Sequence, residues 1–168
     1  MPFYVIDYEK TGFRAKLEGR SYVALDRDDR FVLAGRATFG SILGDPREEI
    51  PTPLLFFSGG GGSVRGYQFR ANGVEIDGET FGGRGLLELS AELRAKVTED
   101  IGVVAFSDTG WVSEGSWALD DDDPRTGVGF GLRYQTGLGP IRLDIAAPVD
   151  RQPGEDSFAF YLGIGQSF

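Results

Sequence analysis

Residues 83–97 read Gly-Arg-Gly-Leu-Leu-Glu-Leu-Ser-Ala-Glu-Leu-Arg-Ala-Lys-Val, and this segment decides the fold class of the chain. Successive side chains of a β-strand point to opposite faces, so the segment separates cleanly into an apolar and a polar face. In a helix the same order would spread the charges around the whole circumference. The two faces of the predicted strand are Leu87, Leu89, Ala91, Leu93, Ala95 and Val97 against Arg84, Glu88, Ser90, Glu92, Arg94 and Lys96.

The same two-residue period recurs along the chain and predicts eight strands. Twenty-six glycines and a single methionine also favour strands and turns. The predicted strands are 3–9, 13–26, 30–43, 83–97, 100–111, 127–136, 140–148 and 158–168. Tight turns at 27–29, 98–99 and 137–139 alternate with long connections at 44–82, 112–126 and 150–157. Short turns at one end and long loops at the other are typical of an antiparallel transmembrane β-barrel.

The composition excludes several classes of function. The chain has no cysteine and no histidine, which removes the usual metal ligands and general bases, and no spacing of acids singles out a catalytic pair. We therefore expect no enzyme, no catalytic residues, no cofactor and no metal site. The aspartates at 120–123 lack the spacing of a calcium loop and are expected to form a solvated tip. A net charge of -9 disfavours nucleic acid as a partner.

Alternation does not say which face is inside. No apolar run approaches the roughly 18 residues of a membrane helix, so strands would have to make any membrane span. An outer-membrane barrel would turn the apolar faces to lipid, whereas a soluble ligand-binding barrel would turn them inward. The first residues lack the basic start and apolar stretch of a signal peptide, so an exported chain of this sequence is expected to be a mature piece.

The longest connection, 44–82, carries the second informative segment. Residues 56–67 read Phe-Phe-Ser-Gly-Gly-Gly-Gly-Ser-Val-Arg-Gly-Tyr, and four consecutive glycines suit a loop that folds closely against another surface. Further motifs follow in order: Gly82-Gly83, then 106–110 (Phe-Ser-Asp-Thr-Gly), then 139–148 (Gly-Pro-Ile-Arg-Leu-Asp-Ile-Ala-Ala-Pro), then a terminal phenylalanine. This series resembles the outer-membrane assembly barrel superfamily that includes BamA, TamA and the two-partner-secretion transporters.

The resemblance implies a fold, a location and a function. The chain would be the carboxyl-terminal half of a barrel of about sixteen strands, with residues 1–168 forming an all-β domain of about eight transmembrane strands. It would lie in the bacterial outer membrane of a Gram-negative cell, as a surface-antigen type of protein. There it would help outer-membrane proteins such as autotransporters to insert or translocate. A passive structural or porin-like barrel and a soluble ligand-binding barrel remain the alternatives.

The resemblance also implies the site residues. The loop motif is Val64, Arg65, Gly66 and Tyr67, and the arginine would be held in the barrel lumen by two carboxylates. These are Asp108, in the motif formed by Phe106, Asp108 and Gly110, and Glu92 on the preceding strand. A guanidinium in a confined space requires such partners. The terminal strand, which would open sideways from the first, carries Phe158, Phe160, Gly163, Gly165 and Phe168, with both glycines thinning its packing.

Eight strands are half of the number that the resemblance implies. An eight-strand barrel is nearly filled by its own side chains and leaves little room for a loop of this length. Three arrangements are open: a small closed barrel with the loop expelled, a homodimer of two halves, or a partner chain that completes the barrel. The other expected partners are membrane lipid and substrate outer-membrane proteins.

Overall fold

The computed structural model describes residues 4–8, 12–120, 123–137 and 139–168, with the backbone alone for 4–8. Both ends of the predicted strand 3–9 therefore lie outside the described residues, as do two of the aspartates in 120–123 and residue 138 of the predicted turn 137–139.

Ten strands account for most of the described chain. Their bounds are β1 Tyr4–Tyr8, β2 Gly12–Ala24, β3 Phe31–Leu43, β4 Val74–Ile76, β5 Glu79–Phe81, β6 Gly85–Lys96, β7 Ile101–Ser113, β8 Arg125–Tyr134, β9 Ile141–Pro148 and β10 Ala159–Ile164. Two short 3-10 turns, Arg47–Glu49 and Thr52–Leu54, lie in the long connection after β3. In the described part of the chain, no helix is long and apolar enough to cross a membrane.

Eight of the strands form one antiparallel sheet in the order β1-β2-β3-β6-β7-β8-β9-β10. Each strand pairs with the next along the chain, apart from the β4–β5 hairpin, which forms a separate two-stranded sheet between β3 and β6. The prediction of an all-β, antiparallel fold of eight strands in the main sheet is confirmed. Among the described residues, β1 pairs only with β2 and β10 only with β9, so the sheet is open. The eight strands thus form an open sheet, as expected for half of a larger barrel.

The two faces of the sheet differ sharply in polarity and burial. The outer face carries the apolar side chains, and these are exposed, as Leu33, Leu93, Phe130 and Leu143 show. The opposite face, called the inner face below, buries polar and charged side chains: Arg36, Thr38, Glu88, Ser90, Glu92, Asp108, Arg133 and Asp144. A soluble ligand-binding barrel requires the reverse, so that alternative is wrong. An exposed apolar surface beside a buried polar interior is what lipid as the outer solvent demands.

The connection between β3 and β6 lies on the inner face. Ile50, Leu55 and Phe56 from this loop pack with Ile42 of β3 and Leu86 of β6 in a small hydrophobic cluster. Gly40 makes the approach feasible, because a Cβ at that position would lie 2.7 Å from the Phe56 ring. The backbone of Phe56 also bonds with that of Gly83 in both directions, at 2.8 and 2.9 Å. The loop is thus a packed element inside the fold and is not expelled from it.

The terminal strand is shorter than predicted. The sequence predicts one strand over 158–168, with Phe168 on the same face as Phe158 and Phe160, but β10 ends at Ile164. Gly165 has a φ of +92°, a backbone conformation that breaks the alternation of faces. Phe168 is consequently buried on the inner side, whereas Phe158 and Phe160 stay exposed. Its predicted place on the apolar face is therefore wrong.

Candidate functional site

Arg65 lies at the centre of a buried charge cluster on the inner face. Its guanidinium forms a fork on Asp108 of β7, with Nε donating to Oδ2 at 2.7 Å and Nη2 donating to Oδ1 at 3.0 Å. The backbone N–H of Arg65 donates to the same carboxylate at 3.2 Å. Bidentate geometry of this kind is the strongest arrangement available to an arginine and a carboxylate. It fixes both the position and the orientation of the loop motif on β7.

Two more carboxylates contact the remaining nitrogen of the same guanidinium. Nη1 of Arg65 donates to Glu92 of β6 at 2.7 Å and to Asp144 of β9 at 3.3 Å. Each of these acids also pairs with another arginine, Glu92 with Arg94 at 2.8 Å and Asp144 with Arg133 of β8. The cluster therefore ties the loop to three strands of the sheet.

The space around Arg65 is shaped by an aromatic ring and by glycines. The guanidinium carbon lies 3.4 Å from the centre of the Phe106 ring, a stacked cation–π contact. A Cβ on Gly110 would come within 2.8 Å of the Val64 side chain. A Cβ on Gly127 would collide with the main-chain oxygen of Arg65. These glycines let the loop backbone reach the sheet closely enough for the ion pairs to form.

The charges in this cluster are almost completely removed from solvent. Side-chain exposure is 2 % for Arg65, 0 % for Glu92, 1 % for Asp108 and 0 % for Asp144. Burial by itself lowers the pKa of an arginine, but the hydrogen bonds and charges of Asp108 and Glu92 outweigh it and raise the pKa of Arg65 above its ordinary value. Arg65 is therefore a permanent cation, and its carboxylate partners balance it electrostatically.

The other motif residues hold the loop at further points. Val64 is fully buried, and Gly66, with a φ of +103°, packs against the backbone of β9. The Tyr67 hydroxyl donates to the main-chain oxygen of Thr126 at 3.1 Å. Burial raises the pKa of Tyr67, which keeps this hydroxyl protonated as a donor.

The glycine run beside the motif is anchored as well. Arg36 of β3 donates to the main-chain oxygens of Gly62 and Ser63, at 2.7 and 3.0 Å. The Ser63 hydroxyl bonds Glu88 of β6. Hence residues 59–67 contact strands on both sides of the Arg65 cluster.

The end of the described chain reaches the same cluster from the opposite direction. Gln166 accepts from Nε of Arg133 at 3.2 Å, and the Ser167 hydroxyl donates to Glu92. The Phe168 ring lies 5.4 Å from the Arg94 guanidinium and 5.5 Å from that of Arg36. The turn at Gly165 thus brings the last three residues into the charged interior.

The structure brings together most of the residues singled out from the sequence. The motif 64–67, Glu92, Phe106, Asp108 and Gly110 converge on one site, whereas Phe158 and Phe160 lie on the outer face and Gly163 lies beside Arg142. Asp144, Arg133 and Tyr161 also belong to the site. They were not predicted as site residues, although all three occupy the polar face of their strands. Among the described residues, no group of histidine, cysteine or acidic side chains is arranged to hold a metal ion.

Comparisons with known proteins match this architecture. A sequence profile described as the Omp85 superfamily domain covers residues 8–168. The chain is 28 % identical over 144 residues to the outer membrane protein assembly factor BamA of Nitratidesulfovibrio vulgaris, and 29 % identical over 155 residues to the BamA of Neisseria meningitidis serogroup B. These alignments cover 82 % and 72 % of this chain. Both relatives are named as assembly factors and not as enzymes.

A solved structure shows the same fold. The crystal structure of BamA from Haemophilus ducreyi lacking POTRA domains 1–3 superimposes with a TM-score of 0.74 at 18 % identity, covering 90 % of this chain and 35 % of that one. The chain spans only 18 % and 19 % of the lengths of the two curated relatives. In each of these relatives, the matched region is therefore one part of a longer protein.

Proposed function

The chain belongs to the Omp85 superfamily and is a bacterial outer-membrane protein, and from this premise we propose that it acts in outer-membrane protein assembly. In this proposal, residues 1–168 form the carboxyl-terminal half of a TamA/BamA-type barrel. The half-barrel helps outer-membrane proteins, autotransporters among them, to insert into or cross the bilayer. Substrate proteins and membrane lipid are its partners.

One observation carries the proposal: Arg65 of a long loop is held by three buried carboxylates on the inner face of a sheet whose outer face is apolar. These carboxylates lie on β6, β7 and β9, and β9 is the partner of the terminal strand β10. Backbone groups in lipid must be paired, so a terminal strand that separates from its neighbour can pair with an incoming strand instead. A passive barrel has no need of a loop fixed beside such a strand.

The remaining strands of the barrel must come from elsewhere. We propose that a second copy of this chain, a partner chain or a longer parent chain supplies them. The match to 35 % of the Haemophilus ducreyi chain supports a larger barrel, because the aligned part leaves further strands to be provided. A larger barrel also has room for the inner-face loop, which an eight-strand barrel lacks.

The test is an insertion assay with the native protein in lipid vesicles. An unfolded autotransporter barrel is added, and the rate at which it becomes resistant to protease is measured. Arg65→Ala should slow insertion toward the rate of protein-free vesicles, because the loop loses its anchor. Arg70→Ala is the matched control, since Arg70 lies on the same loop but is exposed.

The competing function is that of a passive structural or porin-like barrel. It predicts that Arg65→Ala lowers stability and leaves insertion of the autotransporter at the wild-type rate. Equal insertion rates for wild type and Arg65→Ala, measured on folded protein, would therefore reject the assembly function.

A further inference from the structure

Tyr161 of the edge strand β10 forms two hydrogen bonds with the loop motif through one hydroxyl. The hydroxyl oxygen accepts from the backbone N–H of Gly66 at 2.9 Å and donates to the main-chain oxygen of Tyr67 at 2.9 Å. These partners lie 95 and 94 residues away in the sequence. The hydroxyl thus uses both a donor and an acceptor position on the motif backbone.

The Tyr161 ring is also packed between the loop and the sheet. On the sheet side it contacts the buried cluster of Val104, Phe106 and Ala146. On the loop side it lies so close to Gly61 that a Cβ there would be 2.8 Å from its Cδ1 atom. The next residue, Gly62, has nothing within 4 Å of the corresponding position. Of these two neighbouring glycines, only Gly61 therefore has the ring against its Cβ position.

The strand that carries Tyr161 is held weakly by the rest of the sheet. β10 has six residues, pairs among the described residues with β9 alone, and carries exposed apolar side chains such as Leu162 and Ile164. A short edge strand is stabilised by one row of backbone hydrogen bonds only. The two hydrogen bonds and the packed ring of Tyr161 therefore contribute a large part of the stability of β10 in the sheet.

We infer that Tyr161 couples the loop motif to the edge strand, so that displacing the loop loosens β10 and releasing β10 loosens the loop. Coupling of this kind is reciprocal, because the same two bonds are lost whichever segment moves first. The consequence for assembly rests on the proposed function: the position of the loop would regulate how readily the edge becomes available to an incoming strand.

The first experiment removes the hydroxyl and keeps the ring. In Tyr161→Phe, measured in the native protein in lipid vesicles, amide hydrogen exchange should become roughly tenfold faster in both residues 59–67 and β10, because both hydrogen bonds are lost. Tyr134→Phe is the matched control, since Tyr134 is exposed on the outer face of β8. Faster exchange confined to the loop, or in neither segment, would overturn the coupling.

The second experiment perturbs the loop and reads the strand. Gly61→Ala should displace the Tyr161 ring and speed exchange in β10, whereas Gly62→Ala, the same change one residue further on, should leave β10 unchanged. Equal protection of β10 in the two variants would also overturn the coupling. Because exchange is measured without any substrate, this result stands apart from the assembly function. If Tyr161→Phe exchanges faster in both the loop and β10 but inserts the autotransporter at the wild-type rate, the bridge by Tyr161 is supported and the assembly function is not.

Discussion

Replacing Arg65 with alanine should release the loop from the sheet, mainly because Asp108 is left as a buried carboxylate without a cation. Without the arginine, Glu92 keeps Arg94 and Asp144 keeps Arg133. Asp108, 1 % exposed, has no other cation within ion-pair distance among the described residues. Removing one partner of a buried ion pair destabilises by about 3–5 kcal/mol, which is large because the remaining charge has neither water nor a counter-ion.

The magnitude can be measured as the free energy of loop opening. Native-state hydrogen exchange of residues 59–67 in lipid vesicles should show opening more frequent by roughly 100- to 4,000-fold in Arg65→Ala, at about 1.4 kcal/mol for each factor of ten. Arg70→Ala is the control on the same loop. Its guanidinium makes an exposed contact 4.1 Å from the Phe57 ring, which contributes about 0.5–1 kcal/mol.

If an unpaired Asp108 destabilises the loop, Asp108→Asn should have opposite effects with and without Arg65. Adding Asp108→Asn to Arg65→Ala removes the unpaired charge, so the double variant should recover about 1–3 kcal/mol of loop stability relative to Arg65→Ala alone. In the wild-type background, the same Asp108→Asn change should destabilise the loop. If the double variant opens as readily as Arg65→Ala, or if the loop opens equally in Arg65→Ala and Arg70→Ala, an unpaired Asp108 is not what destabilises the loop.

Three further predictions follow from the packing and the faces of the sheet. Gly110→Ala should loosen the loop, because its Cβ would come within 2.8 Å of Val64. Gly19→Ala is the control, since its Cβ position is open. Hydrogen exchange of the loop amides should be faster in Gly110→Ala than in wild type and unchanged in Gly19→Ala. Phe130→Arg on the outer face should destabilise the folded protein in vesicles by about 2–4 kcal/mol in urea unfolding, and an unchanged midpoint would contradict lipid contact there. Burial raises the pKa of Tyr67, so this hydroxyl should ionise at a higher pH than an exposed tyrosine, and the loop should lose stability as the pH rises through that raised pKa. The difference between ultraviolet titrations of wild type and Tyr67→Phe isolates this hydroxyl, and ionisation at the pH of an exposed tyrosine would refute its burial.

The strands were predictable because a single two-residue period runs through most of them. Leu87, Leu89 and Leu93 alternate with Glu88 and Glu92, and no other regular structure separates them. The pairing of Arg65 with Asp108 and Glu92 came from the motifs, since alternation places a residue on a face but does not say which residue of a distant loop meets it.

The members of the site that were missed show what alternation leaves out. Asp144 and Arg133 lie on the polar faces of β9 and β8, so their faces were readable, but their shared contact with the cluster depends on the register between strands. Phe168 was misplaced for a different reason. The positive φ of Gly165 reverses the faces after it, and many glycines in the sequence adopt no such conformation.

The most direct test of the half-barrel is the mass of the protein purified from the membrane in detergent, corrected for the bound micelle. The open eight-strand sheet predicts a species larger than one 18.2 kDa chain, because a second copy, a partner chain or the rest of a longer parent must supply the missing strands. A stable, folded species of a single 18.2 kDa chain would contradict it. Such a result would mean a small closed barrel from which the Arg65 loop has been displaced.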